Sequence, residues 1–165
     1  MQSLYKYFLV LITLLLLGSL PLMAQLGKPP RKNLTITINQ GLAFGTFCPY
    51  GAGGTVTISD YGVRSYTGNI VLMSSTYHEC SFTLSTTNYS REVLYLNIQT
   101  PVTLKRTGSN NTLSLSLDTS NNVGWDIYSY NPVTLYMGGT LTVRSITYNP
   151  GGTYTGSFTI TAIYN

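Results

Sequence analysis

The sequence predicts an all-β fold, an antiparallel sandwich or barrel, and three observations carry that prediction. Apolar residues alternate with threonine and serine over short runs, as Leu113, Leu115 and Leu117 do with Ser114 and Ser116. A period of two marks a strand with one buried face. Turn residues such as Asn149-Pro150-Gly151-Gly152 interrupt the runs, at the spacing of roughly 8–12 residues that short-stranded β-domains show. Nowhere do apolar residues recur at helical spacing across three turns. About nine or ten short strands follow from this pattern.

The elements read in order as follows. Residues 25–33 are polar and basic and carry Pro29-Pro30, which favours an extended arm. Leu34, Ile36 and Ile38 then alternate with Thr35 and Thr37. Gln40-Gly41 breaks this run, and Leu42 and Phe44 resume it. Gly51-Ala52-Gly53-Gly54 reads as a flexible loop, followed by a short strand through Val56 and Ile58. Asp60-Tyr61-Gly62 turns the chain into an apolar strand over residues 68–73. Phe82 and Leu84 follow Cys80. Leu94, Leu96 and Ile98 form a strand that Pro101 ends, and Val102 and Leu104 begin the next. Gly108-Ser109-Asn110-Asn111 turns into the leucine–serine strand. Residues 119–131 are irregular and hold Trp125. Val133 and Leu135 precede Gly138-Gly139, and Leu141 and Val143 follow it. The last run, through Tyr154, Phe158, Ile160, Ala162 and Tyr164, reads as one strand with a single core face.

The N-terminus reads differently. Lys6 precedes a nearly continuous apolar run from Phe8 to Leu22, then Met23-Ala24-Gln25. A basic start, an apolar stretch and a small residue at the break describe a secretory signal peptide, residues 1–24, cut after Ala24. An uncleaved anchor is the alternative, but the run is short for a span of about 20 residues. The expected organisation is a signal peptide (1–24), an arm (25–33) and one β-sandwich domain (34–165). The expected location is exported: periplasm, cell surface or extracellular, with no membrane contact after cleavage. Charged residues are only 8% of the chain, so threonine, serine, asparagine and tyrosine must solubilise it. The positives that remain are scattered outside Lys28, Arg31 and Lys32. No basic stripe interleaved with aromatics appears, and nucleic-acid binding is not expected.

Little in the chain reads as chemistry. The acids Asp60, Glu79, Glu92, Asp118 and Asp126 are scattered, and nothing in their spacing pairs them as a glycosidase requires. His78-Glu79-Cys80 offers a histidine beside a thiol, but an oxidised Cys80 is no nucleophile. The glycine cluster at 51–54 lacks the Lys-Ser/Thr ending of a phosphate loop. No metal or cofactor is expected, and the protein is read as no enzyme. In an exported protein, Cys48 and Cys80 are expected to form a disulfide; two free thiols are the other reading. Fourteen tyrosines leave room for a sugar-binding face. Trp125, Tyr128 and Tyr130 are the candidate glycan contacts, with Tyr50, Tyr61, Tyr66 and Tyr77 near loops of the first half.

Three stretches of the first half, Leu42-Ala43-Phe44-Gly45-Thr46-Phe47, Gly53-Gly54-Thr55-Val56-Thr57-Ile58 and Gly68-Asn69-Ile70-Val71-Leu72, carry a family resemblance. So, more strongly, do Leu135-Tyr136-Met137-Gly138-Gly139-Thr140-Leu141-Thr142-Val143 and Gly152-Thr153-Tyr154-Thr155-Gly156-Ser157-Phe158-Thr159-Ile160-Thr161. Together they resemble the bacterial family called domain of unknown function 4402, over about residues 42–165. That family is similar to spore coat protein U and to chaperone–usher pilin subunits. The resemblance implies an Ig-like, pilin-like β-sandwich, exported and working as a cell-surface or fimbrial building block. It brings no catalytic residues. A pilin-type subunit lacks one strand of its sandwich, and a neighbour supplies it by β-strand addition. Leu34, Ile36 and Ile38 are the candidate donor strand; the other reading makes them the domain's own first strand. Expected partners are other protein subunits, with a second copy of this chain and a periplasmic chaperone as candidates. The alternative function is a secreted carbohydrate-binding or adhesin module.

Overall fold

The computed structural model describes residues 34–87, 92–118, 125–127 and 131–164. The expected signal peptide and arm lie outside them. The described residues form twelve strands and no helix: β1 Leu34–Gln40, β2 Phe47–Ile58, β3 Arg64–Leu72, β4 Cys80–Thr86, β5 Glu92–Ile98, β6 Val102–Arg106, β7 Thr112–Leu117, β8 Trp125–Ile127, β9 Val133–Met137, β10 Gly139–Arg144, β11 Tyr154–Thr155 and β12 Ile160–Tyr164. They make a six-stranded sheet in the order β11-β6-β7-β10-β2-β3 and two three-stranded sheets, β1-β4-β9 and β12-β5-β8. Every pairing is antiparallel. This is the antiparallel β-sandwich that the alternation predicts.

One apolar cluster joins all three sheets. Val56, Ile58, Leu113, Leu115, Leu141 and Val143 enter it from the six-stranded sheet. Phe82, Leu84, Leu135 and Met137 enter it from β4 and β9, and Leu96 and Ile98 from β5. These are the alternate positions of their strands, so the period of two sorts each strand into a core side and a solvent side.

The solvent side of the six-stranded sheet explains how so few charges suffice. Thr103, Ser114, Thr142, Thr55 and Thr67 stand in one cross-strand row over five neighbouring strands. Ser116, Thr140, Thr57 and Ser65 make the next row. Within the rows the Thr55 and Thr67 hydroxyls are 2.7 Å apart, and those of Thr57 and Thr140 3.0 Å. Such cross-strand hydroxyl pairs support a sheet while keeping its face wet.

Two expectations are corrected. Gly51-Ala52-Gly53-Gly54 is not a loop; it lies inside β2, where the pairing with β3 slips between Pro49 and Gly54. The glycines are there for close approach. Gly53 has φ +86, and a Cβ on Gly54 would strike the Thr67 carbonyl. The final run is also not one strand. β11 pairs with β6 in the six-stranded sheet, whereas β12 pairs with β5 in a three-stranded one. The chain changes sheets across residues 156–159, where a Cβ on Gly156 would come within 2.8 Å of the Thr103 carbonyl. The β5–β6 segment makes the same change through Thr100-Pro101, which is cis. The one-sided character of the run survives the break: Phe158, Ile160 and Ala162 pack against the core, and Thr159, Thr161 and Ile163 are exposed.

Candidate functional site

The part of the fold that bears most directly on assembly is β1. Among the described strands it pairs with β4 alone, from Leu34 opposite Thr86 to Ile38 opposite Phe82. The order β1-β4-β9 leaves its other side unpaired among the described residues. An edge strand of this kind offers unpaired N–H and C=O groups to any chain that approaches. Thr35 and Thr37 face solvent, and Leu34 and Ile36 are half-buried against the core. Ile38 shares their side by alternation yet is 57% exposed. The register slips between Ile38 and Gln40. Asn39, the extra residue, donates to the Thr83 hydroxyl at 2.8 Å, and the Gln40 amide donates to the Glu79 carbonyl at 2.9 Å. After this bulge Gly41 has open space around it. β1 is therefore anchored at its C-terminal end by side-chain bonds and along its length by one ladder.

Of the two readings of Leu34, Ile36 and Ile38, the structure has them in the strand of their own chain. Their apolar row is shallow. Phe82 and Leu84, their partners on β4, are fully buried, whereas none of the three on β1 is.

The expected disulfide is not formed. Cys48 and Cys80 are both free thiols. Cys48 lies in β2, opposite Val71, is exposed, and turns its sulfur toward the Pro49 carbonyl at 3.7 Å. Cys80 opens β4 in another sheet, opposite Met137, and is 1% exposed. One side chain faces solvent and the other the core, so a bond would require one strand to turn over. Burial raises the Cys80 pKa above its ordinary value and holds the group as a neutral thiol. Its neighbour His78 is fixed through its backbone to Ala43, at 2.9 and 3.0 Å.

Of the candidate glycan contacts, Trp125 begins β8, where it pairs with Leu94. Tyr128 and Tyr130 lie outside the described residues. The first-half tyrosines are exposed: Tyr50, Tyr61, Tyr66 and Tyr77 stand in or beside β2 and β3. β3 is an edge of the six-stranded sheet, and Val63, Val71 and Met73 are exposed beside these tyrosines. Arg64 crosses to this edge, its guanidinium 4.3 Å from the Tyr77 ring centre and bonded to the carbonyls of Phe44 and Met73. The sequence marks residues 68–73 as a strand but gives no sign that its far side is an uncovered edge. Among the described residues no group of three or more His, Cys, Asp and Glu side chains is placed to hold a metal ion.

A family model described as "Domain of unknown function (DUF4402)" matches residues 34–164. The match begins at β1 and closes with β12, so it takes in every described strand. No curated protein and no solved structure matches the chain.

Proposed function

We propose that this chain, which belongs to the DUF4402 family, is an exported, non-enzymatic structural subunit of a cell-surface or fimbrial assembly, and that it assembles by β-strand addition. The observation that carries this reading is β1. It is an edge strand with one paired neighbour, a shallow apolar row and an open glycine behind it. Exchange of an identical element between two copies needs no new interface chemistry. β1 of one copy takes the place of β1 on β4 of the next, with the same register and the same side chains. Gly41, which joins β1 to the rest of the domain and has open space around it, is the hinge about which β1 swings out. A chaperone that keeps β4 covered until exchange is the expected helper.

The test is a cross-link between copies. Thr37 on β1 faces Thr83 on β4. Two preparations carry Thr37→Cys and Thr83→Cys respectively, each with Cys48→Ser. They are mixed under assembly conditions and oxidised. Exchange predicts a covalent pair between the two preparations. A doubly substituted chain that cross-links only within itself, with no bond formed between preparations, would defeat the reading.

A further inference from the structure

The end of the sandwich formed by the β6–β7 turn and the segment after β10 carries two adjoining grooves. One, of about 340 Å³, is floored by Ser114 and Thr142 and walled by Arg144 and Tyr148. The other, of about 580 Å³, runs along Lys105 and Arg106. Asn110 lines both, so they adjoin at the β6–β7 turn and are taken together as one track. Ligand sites commonly have volumes of this order.

The wall of the first groove is built, not incidental. Asn149 is 8% exposed. Its amide donates to the Thr112 carbonyl at 2.8 Å, and its side-chain oxygen accepts the Arg144 N–H at 2.7 Å. The amide of Asn111 donates to the Tyr148 carbonyl at 3.3 Å. These bonds fix the turn that carries Tyr148, whose ring is 64% exposed with the Arg144 guanidinium 6.0 Å from its centre.

The chemistry of the lining is selective. Among the described residues, no carboxylate lines either groove. Three cations, Lys105, Arg106 and Arg144, line this one track; Arg64 alone among the other described residues is a lysine or arginine. The Nε of Arg106 is buried without a hydrogen-bond partner. The rest of the lining is amide and hydroxyl, with one exposed aromatic ring. Amides and hydroxyls bond sugar hydroxyls, a ring face stacks on sugar C–H groups, and a guanidinium clamps a carboxylate or sulfate.

We propose that this track binds a strand of an anionic polysaccharide. Arg144 and Lys105 would hold acidic groups on successive sugars, and Tyr148 would stack on the ring between them. A chain of sugars fits better than a single small anion because the two grooves adjoin at Asn110 and the cations are divided between them, Arg144 in one and Lys105 and Arg106 in the other. Nucleic acid is disfavoured because one exposed ring does not make the row of stacking platforms that single strands use. The proposal does not rest on strand exchange: β1 and the track lie in different sheets.

The purified chain is run in native gels containing alginate, a polyuronate; heparin, a sulfated glycan; or neutral dextran. Single-stranded DNA is added as competitor in a parallel series. Retardation by alginate or heparin but not by dextran is expected, and whichever acts at lower concentration identifies carboxylate or sulfate as the group recognised. Arg144→Gln and Tyr148→Ala should each weaken the retardation at least fivefold. Lys105→Gln, on a strand outside the Asn149 turn, should do the same, which separates loss of binding from any loosening of that turn by Tyr148→Ala. Arg64→Gln removes the same charge from β3, at the other edge of the six-stranded sheet, and should leave binding unchanged. No retardation by either acidic glycan overturns the proposal. So does an equal loss in Arg64→Gln, or displacement by DNA at matched charge concentration, since either makes the effect one of net charge alone.

Discussion

The side chain of Asn149 joins two strands that are neighbours in space but far apart in sequence: its amide donates to the carbonyl of Thr112, 37 residues away, at 2.8 Å. Through its oxygen it also accepts the backbone N–H of Arg144. Asn149→Ala removes both part-buried hydrogen bonds, from the Arg144 N–H and to the Thr112 carbonyl. Because water can reach both groups, each lost bond costs about 0.5–1.5 kcal/mol. The expected outcome is a lower urea midpoint with an unchanged slope, and Tyr148 loosened in the same variant. Asn149→Asp keeps the acceptor for Arg144 but loses the donor to Thr112, and it should fall between the wild type and the alanine variant.

The two thiols should behave oppositely. Cys48 is exposed, so a maleimide should label it in the native chain without denaturant. Cys80 is buried, and its pKa is raised by desolvation, so it should label only on unfolding. Intact-mass analysis before and after urea reads both. The raised pKa has a sign in stability. The folded state resists ionising Cys80, so this contribution is fully present below the ordinary thiol pKa. It is lost as the pH rises above it, because the unfolded chain ionises first. A Cys80→Val variant should show a shallower alkaline loss of stability than the parent.

Core depth orders the next set. Phe82 is fully buried, and Phe82→Ala should cost about 3–5 kcal/mol. Phe158 is only half-buried where the chain changes sheets, so Phe158→Ala should cost less than Phe82→Ala. Thr159 is exposed; its backbone N–H donates to the Gln99 side-chain oxygen, and its carbonyl accepts the Gln99 backbone N–H. Thr159→Ala should change stability by about 0.5 kcal/mol or less. Denaturation of the three variants gives the ranking directly. Equal costs for Phe158 and Thr159 would contradict the one-sided packing of this segment.

The same residues show what the sequence could and could not disclose. Strand identity was legible because each strand has one dry and one wet face, and alternation reports faces without needing to know the partner. That is why Leu113, Leu115 and Leu117 all lie in the core. Partner choice leaves no such trace. Tyr154 and Ile160 read as one strand, but they sit in different sheets because β6 and β5 do. The glycines of β2 mimic a loop, since composition cannot tell a close backbone approach from flexibility. The two cysteines suggested a bridge by count, but a disulfide needs side chains that converge, and these two point to solvent and to core. The track was invisible for a similar reason: Lys105, Asn110 and Arg144 meet only once β7 has paired with β6 and β10.

The last prediction concerns β1 itself. Removing residues 25–38 deletes most of a strand that covers Phe82 and Leu84 from one side. The truncated chain therefore has an open slot beside β4, lined by apolar side chains and unpaired backbone groups. If β1 works only within its own chain, the slot cannot be refilled productively, and the truncation stays destabilised whatever is added. If β1 is an exchangeable donor, a synthetic peptide of the β1 sequence Leu-Thr-Ile-Thr-Ile-Asn-Gln should bind the slot in the native register. Binding to the folded state alone raises Tm with peptide concentration, by about 2.7 kcal/mol of added stability at a hundredfold excess over Kd. A peptide with Leu34 and Ile36 replaced by Asp should not do so, because it keeps the main-chain bonds but cannot fill the apolar row. Thermal melts of the truncation with each peptide, with size-exclusion chromatography of the intact chain beside it, decide the matter. Rescue by the native peptide, together with loss of higher assemblies on truncation, is the expected result. A truncation that neither peptide rescues would end the case for donor-strand exchange by β1, while leaving the β-sandwich as described.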